Sequence, residues 1–183
     1  MARIVKKQIK LRNGIKVVIR TAVPKDADGI ISVFKSVMKE KIYTLNDLDE
    51  YKETAKTISK KISKFRKAPG RIFIAALCEN EIAGYAVFNN GDLRKIKHSG
   101  YLTVFIDKEY RGRGLGKELM KTLIQWGKAN KLIRKMTLSV FSNNKNAIKL
   151  YKKVGFKIEG LCPMDVKING RYYDSILMYK FVS

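Results

Sequence analysis

Gly112, Gly114 and Gly116 alternate with Arg111, Arg113, Leu115 and Lys117 past the middle of the chain. Glycine lets a backbone approach a ligand closely and take up positive φ without a Cβ clash. The apolar run Leu102 to Ile106 precedes the glycines. Leu115, Leu119, Met120, Leu123 and Ile124 follow at helical spacing. The pattern reads as strand, glycine loop, helix. The first turn of that helix offers unpaired N–H groups and the positive end of a helix dipole. Together these features make a phosphate cradle.

Spacing narrows the ligand. A Walker-type loop needs glycine where Arg111 stands and Ser or Thr where Glu118 stands. The dinucleotide fingerprint needs a third glycine where Leu119 stands. What fits is Arg-x-x-Gly-x-Gly at Arg111, Gly114 and Gly116. Downstream, the segment from Asn144 to Phe156 reads Asn-x-x-Ala-x-x-Leu-Tyr-x-Lys-x-Gly-Phe, with Ala147, Leu150, Tyr151, Lys153 and Gly155 at the named places. On these two motifs the chain resembles the GCN5-related N-acetyltransferase (GNAT) superfamily, from about Val17 to Phe181. The tail from Glu159 to Asp174 is similar to the phosphinothricin- and ribosomal-protein-alanine-acetyltransferase-like subgroup.

The resemblance implies a fold: a single-domain α/β protein with a mixed, mainly antiparallel, twisted sheet flanked by helices. Residues 1–16 form an N-terminal hairpin extension to this core. It also implies a cofactor, acetyl-CoA, and a set of contacts. Val104, Phe105 and Ile106 would pair through their backbone with the pantetheine arm. Gly112, Arg113, Gly114, Leu115, Gly116 and Lys117 would hold the pyrophosphate, with Arg111 and Arg113 adding charge. Asn144 would bond the cofactor through its side chain, and Tyr151 would face the thioester sulfur. No metal is expected.

The chemistry implied is direct aminolysis of a thioester by a neutral primary amine of a small molecule, protein or peptide. A lysine-type amine ordinarily titrates at about 10.4 and an α-amine at about 8, so an α-amine needs less help to lose its proton. The developing oxyanion wants an N–H donor, expected from the central strand near Ile106. Tyr151 would protonate the leaving thiolate. One branch of the family carries a Glu base as Leu-Glu-Val before the Asn motif, where this chain reads Leu138-Ser139-Val140. His98, the only histidine, is a candidate base, directly or through water, since imidazole is the side chain suited to proton transfer. Glu109 reads as a charged turn residue.

The supporting elements follow from periodicity. Asn13-Gly14 between alternating runs predicts a hairpin. Pro24 and Asp26 open a helix running to about Lys41. Leu48, Tyr51, Ala55, Ile58, Ile62 and Phe65 predict a second helix from Leu45 or Asn46 to Lys67. Asp47, Asp49, Glu50 and Glu53 then fall at its start, suited to the helix dipole or to recruiting an amine. Strands are expected at Arg71 to Leu77, Ile82 to Phe88, Tyr101 to Ile106 and Met136 to Phe141. The third, apolar on both faces, should be buried on both. A short helix around Ile148 ends at Gly155, Phe156 to Ile158 begins another strand, and Asp165 to Phe181 reads as a last hairpin.

Composition sets the outer limits. The chain has 183 residues, 45% of them hydrophobic, enough for a packed core. Lys and Arg number 39 against 16 Asp and Glu, a net charge of +23. That field attracts polyanions, so a basic RNA- or ribosome-associated module on the same fold is the alternative reading. The basic residues are spread along the chain, as on a solvated surface. Cys78 and Cys162 offer neither a disulfide framework nor a metal spacing. No leader and no apolar run of about 18 residues occurs, so a cytoplasmic, membrane-free protein is expected. A homodimer through the last hairpin is suggested by family analogy.

Overall fold

The structure is a computed structural model and describes residues 3–182. Strands β1 (Lys7–Lys10) and β2 (Lys16–Thr21) form the hairpin expected around Asn13-Gly14, with Gly14 at φ +86°. Helices α1 (Ala27–Met38) and α2 (Ala55–Lys67) follow. Then come β3 (Arg71–Cys78), β4 (Glu81–Asn90), β5 (Ser99–Ile106), α3 (Leu115–Ala129), β6 (Lys135–Phe141), α4 (Lys145–Lys153), β7 (Lys157–Ile168) and β8 (Arg171–Phe181). All eight strands of the described residues join one sheet in the order β1-β2-β3-β4-β5-β6-β8-β7. Every pairing is antiparallel except β5 with β6. This is the mixed, mainly antiparallel α/β fold expected.

The sheet separates two apolar layers. Alternation in β3 sends Ile72, Ile74 and Ala76 into one cluster with Leu115, Leu119, Met120 and Leu123 of α3. Phe73 and Ala75 go into the other, with Ile30 and Ile31 of α1 and Ile58, Ile62 and Phe65 of α2. Each such fully buried large side chain contributes about 1.5–3 kcal/mol, so the helices are fixed to the sheet by the period of their own sequences.

Three expectations are corrected. Helix α2 begins at Ala55, not at Leu45 or Asn46. Thr54 stops it: its hydroxyl accepts the Thr57 N–H at 3.2 Å, and Thr57 Oγ1 accepts the Thr54 N–H at 2.9 Å. Upstream, Thr44 donates to the Asn46 carbonyl and Glu50 accepts the Asp47 N–H, local bonds that compete with helix. Asp47, Asp49, Glu50 and Glu53 therefore lie in the connection, and Leu45 and Leu48 are exposed. Second, β5 is not buried on both faces: Leu102 alone is fully buried, Tyr101 is exposed and Thr103 to Ile106 are half-buried. Third, the two segments expected as separate strands, from Phe156 and from Asp165, are one strand, β7, which begins at Lys157 and has register irregularities at Ile158/Gly160 and Cys162/Val166. Pro163 is tolerated there because β7 is the sheet edge.

A partly buried ion pair ties β2 to the start of α1. Arg20 reaches Asp26 with two hydrogen bonds of 2.6 and 2.8 Å, and the Val23 N–H donates to the same carboxylate at 2.8 Å. Burial pushes the Asp26 carboxyl up, but Arg20 and the Val23 amide outweigh it and hold it below the usual carboxylate range. Asp26→Ala leaves Arg20 uncompensated and is expected to lower stability by about 3 kcal/mol at neutral pH. The folded-state pKa is depressed, so this contribution is complete above about pH 4 and vanishes as pH falls through the folded value. Urea melts at pH 7 should separate the two proteins clearly, and the separation should narrow progressively as pH falls below about 4.

Candidate active site

The parallel ladder between β5 and β6 holds only at Ser99↔Lys135, Gly100↔Met136 and Tyr101↔Thr137, and then the strands part. The other side of β5 stays paired with β4 through Ile106. Asp107 N–H donates to the Ala83 carbonyl at 3.0 Å. Hydrogen-bonded pairs alternate along an antiparallel ladder, so Phe105, Thr103 and Tyr101 direct their backbone groups at β4. Leu102, Val104 and Ile106 direct theirs into the gap. Arg111 Nε occupies the Ile106 carbonyl at 2.9 Å. Across the gap, the Ser139 N–H donates to the phenol oxygen of Tyr101 at 2.8 Å. What remains is an open strand edge carried by the Leu102 carbonyl, Val104 and the Ile106 N–H, suited to an extended, amide-bearing chain.

Of the expected backbone trio, Val104 and Ile106 face the gap. Phe105 does not: its backbone pairs with Tyr85, and its ring lies on the opposite face, 4.7 Å from Phe34 and 5.4 Å from Tyr85 between centroids. Leu102 takes its place. The parity that selects Leu102 is set by the pairing with β4, which no residue of β5 encodes.

The open edge leads into the glycine loop. Gly112 has φ +73° and Gly114 φ +95°, and a Cβ on either would meet nothing within 4 Å. Open space therefore lies beside both. Gly116 serves differently: a Cβ there would come within 3.0 Å of Ile106 Cδ1 and 3.1 Å of Leu150 Cδ2. Its absence lets α3 close onto β5 and α4. Among the described residues, the N–H groups of Gly112, Arg113, Gly114, Leu115, Gly116 and Lys117 donate to no protein acceptor. Six such donors at the start of a 15-residue helix fit a pyrophosphate.

Arg111 has a different task from the one its charge suggests. Its guanidinium forms a fork with Glu40 just beyond α1, at 2.8 and 2.6 Å, while Nε holds Ile106. It braces the loop against β5 and α1, leaving Arg113 and Lys117 as the loop's cations without an ion pair among the described residues. The N-terminal hairpin supplies a second brace. The Arg12 N–H donates to the Arg113 carbonyl at 3.2 Å, and Lys7 lies 3.6 Å from Glu118 in the first turn of α3. In a trans peptide the N–H opposes the C=O. Anchoring the Arg113 carbonyl therefore points the Gly114 N–H away from the hairpin.

Asn144 caps α4, its Oδ1 accepting the Ala147 N–H at 3.1 Å, so only its NH2 group is left to donate to a ligand. Tyr151, on the same helix, is half-buried against the core, its ring centroid 6.3 Å from that of Phe156. Burial, with a smaller effect from nearby Tyr101, pushes its pKa up to about 12. It holds its proton at neutral pH. His98 is exposed at the paired end of β5, its carbonyl accepting the Arg134 and Lys135 N–H groups. It lies outside the cavity described next.

On the other face of the parted strands is a cavity of about 810 Å³ between the α1–α2 connection and the sheet. Phe34, Phe73, Tyr85, Tyr101 and Phe105 line it, and so do Ser139, Ser175, Glu50, Glu53 and Asp165. Of the four acidic residues singled out in the sequence, Glu50 and Glu53 reach it and Asp47 and Asp49 do not. Glu53 also accepts a hydrogen bond from the Thr57 hydroxyl. Burial first, then the Glu53 charge, pushes the Tyr51 phenol up, so it stays neutral there.

A sequence model of the acetyltransferase (GNAT) family matches residues 33–156, a span that takes in both motifs. A probable spermine N(1)-acetyltransferase of Bacillus subtilis subsp. natto is 46% identical over 56 residues, covering 31% of this chain and 37% of that protein. The chain thus spans little more than a third of that relative's length. The L-amino acid N-acetyltransferase AaaT of Escherichia coli K12 is 28% identical over 110 residues, 60% of this chain and 68% of that one. Among solved structures, an acetyltransferase of the GNAT family from Streptococcus pneumoniae superposes with a TM-score of 0.87 at 29% identity, covering 91% of this chain and 99% of that one. With the parted strands, the amide-rich glycine loop and this match across both motifs, the chain belongs to the GNAT acetyltransferase family.

Proposed function

We propose that the protein transfers an acetyl group from acetyl-CoA to a primary amine by direct attack on the thioester. The observation that carries this reading is the continuity of the free edge, from the Leu102 carbonyl through Val104 to the Ile106 N–H, with the six free N–H groups of residues 112–117. A ligand with an amide-bearing arm and a pyrophosphate fits that path. Gly112 to Lys117 bind the phosphates, with Arg113 and Lys117 adding charge; the NH2 of Asn144 adds a donor.

Acetyl-CoA supplies the acyl group as an activated thioester. Attack forms a C–N bond and breaks a C–S bond, so one proton leaves nitrogen and one reaches sulfur. The Ile106 N–H, directed into the gap and unpaired there, is the donor for negative charge developing on the carbonyl oxygen. Tyr151 keeps its proton until a thiolate needs it, and regains one from solvent. No carboxylate stands on β6 to remove the amine proton, because the position is Ser139. With His98 outside the cavity, the nitrogen sheds its proton to water or to a carboxylate of the cavity wall.

Three measurements test this reading. Tyr151→Phe should lower kcat by about 100-fold while leaving the Kd for acetyl-CoA within about twofold; unchanged turnover would remove Tyr151 from the acid role. Gly114→Ala places a Cβ in the cradle and strains a residue at φ +95°. It should weaken coenzyme A binding by about tenfold or more, some 1.4 kcal/mol, with the acceptor KM unchanged. Coupling through the Arg113 carbonyl is reciprocal, so coenzyme A should slow hydrogen exchange at the Arg12 amide. Exchange there indifferent to saturating coenzyme A would show that the hairpin does not sense the loop. Failure of acetyl-CoA to bind at all would sink the whole reading.

A further inference from the structure

Ser175 lies on β8, opposite Phe141 of β6 and Cys162 of β7. It is 1% exposed, its hydroxyl has no hydrogen-bond partner, and it lines the cavity. A buried, unpartnered hydroxyl is rare in a native protein and destabilises it. Its presence in a cavity wall is accounted for by a partner that arrives from outside. A second buried atom without a partner, Asn143 Oδ1, lies at the same end of the sheet, since the neighbouring Ser142 N–H bonds the Asp174 carbonyl at 2.8 Å.

The character of that partner follows from the wall. Ser175 Oγ can accept, and Asp165, Glu50 and Glu53 only accept when ionised. Of the two lysines in the lining, Lys52 donates to the Asp49 carbonyl at 2.8 Å and Lys61 is exposed. A carboxylate ligand meets the like charges of Glu50, Glu53 and Asp165 there. A cation rich in N–H donors finds acceptors and, between them, aromatic faces.

We propose that Ser175 is an acceptor-binding residue, its hydroxyl taking a hydrogen bond from a nitrogen of an aliphatic amine that carries a second cationic nitrogen. This rests on the acetyl-transfer reading and specifies its acceptor side. The Phe141↔Ser175 pairing sets the hydroxyl beside the end of β6 where the strands have parted, and Glu50 and Glu53 contribute from the α1–α2 connection.

The test compares the full-length protein with Ser175→Ala, using 1,3-diaminopropane, propylamine and alanine as probes. In the free protein, loss of an unpartnered hydroxyl should leave Tm unchanged or raise it by about 2–4 °C. Calorimetry should show the Kd for 1,3-diaminopropane weakened about tenfold in the variant, with the Kd for acetyl-CoA unchanged. In the wild type, 1,3-diaminopropane should have a KM at least about tenfold below those of propylamine and alanine. A lower Tm with an unchanged diamine Kd would mean that the hydroxyl serves the fold, and would overturn the proposal. So would propylamine or alanine binding the wild type as well as the diamine does, a comparison that stands even if the variant does not fold. Diamine binding without turnover in the presence of bound acetyl-CoA would overturn acetyl transfer and leave the binding role of Ser175 supported.

Discussion

The break in the parallel ladder after Tyr101↔Thr137 is the constraint from which the rest of the site follows. Strands in the middle of a sheet normally satisfy each other, and an unpaired backbone group shielded from water costs as much as a lost hydrogen bond. Here β5 and β6 part in the interior of an eight-stranded sheet. The molecule meets part of the demand itself, and each substitute partner acts as a strut. The Tyr101 phenol covers the Ser139 N–H and spans the opening where it begins. Arg111 covers the Ile106 carbonyl where β5 ends. Between the struts, the Leu102 carbonyl, both groups of Val104 and the N–H of Ile106 stay free, and these are the groups a ligand would complete.

The glycine loop depends on the same opening. Its six free N–H groups would be only a strained turn unless something fixed where they point. Arg111 fastens the loop to β5 and, through Glu40, to the far end of α1. Gly116 lets α3 sit within contact of Ile106 and Leu150. The Asn13-Gly14 hairpin, which the family match at residues 33–156 does not reach, holds the Arg113 carbonyl from the opposite side. Loop, strand end and α4 thus form one rigid corner, and Tyr151 is carried on α4.

Features set by local sequence are readable without the structure, and features set by pairing are not. Strand, glycine loop and helix occur as expected because an apolar run, positive-φ glycines and a helical stripe each act over a few residues. The motif at Asn144 places α4 for the same reason: Asn144 is its N-cap. Phe105 falls on the far side of its strand from the gap because parity belongs to the β4 ladder. The charge of Arg111 is neutralised by Glu40, which lies 71 residues away and so leaves no local mark. Leu48 and Tyr51 keep helical phase with Ala55 by coincidence. The side-chain bonds around Thr44, Asp47 and Thr54 decide that segment, and they release Glu50 and Glu53 from a helix terminus into a cavity wall.

That release bears on how a strongly basic protein can handle a cationic substrate. The net charge of +23 slows the approach of any cation, but charges more than about 8 Å away are largely screened at physiological ionic strength. Inside that distance the cavity's own groups govern. Glu50 is exposed while Phe105, Tyr85 and Phe73 line the same cavity from the sheet, so the acidic and the apolar parts of the wall are separated in depth. A carboxylate favours the charged amine, whereas burial among aromatic rings disfavours it and lowers its pKa. On the acetyl-transfer reading, an amine captured as a cation at the rim meets surroundings that favour its neutral form as it nears β5. Such a gradient does part of the work that a general base on β6 would do, and it is compatible with Ser139 at that position.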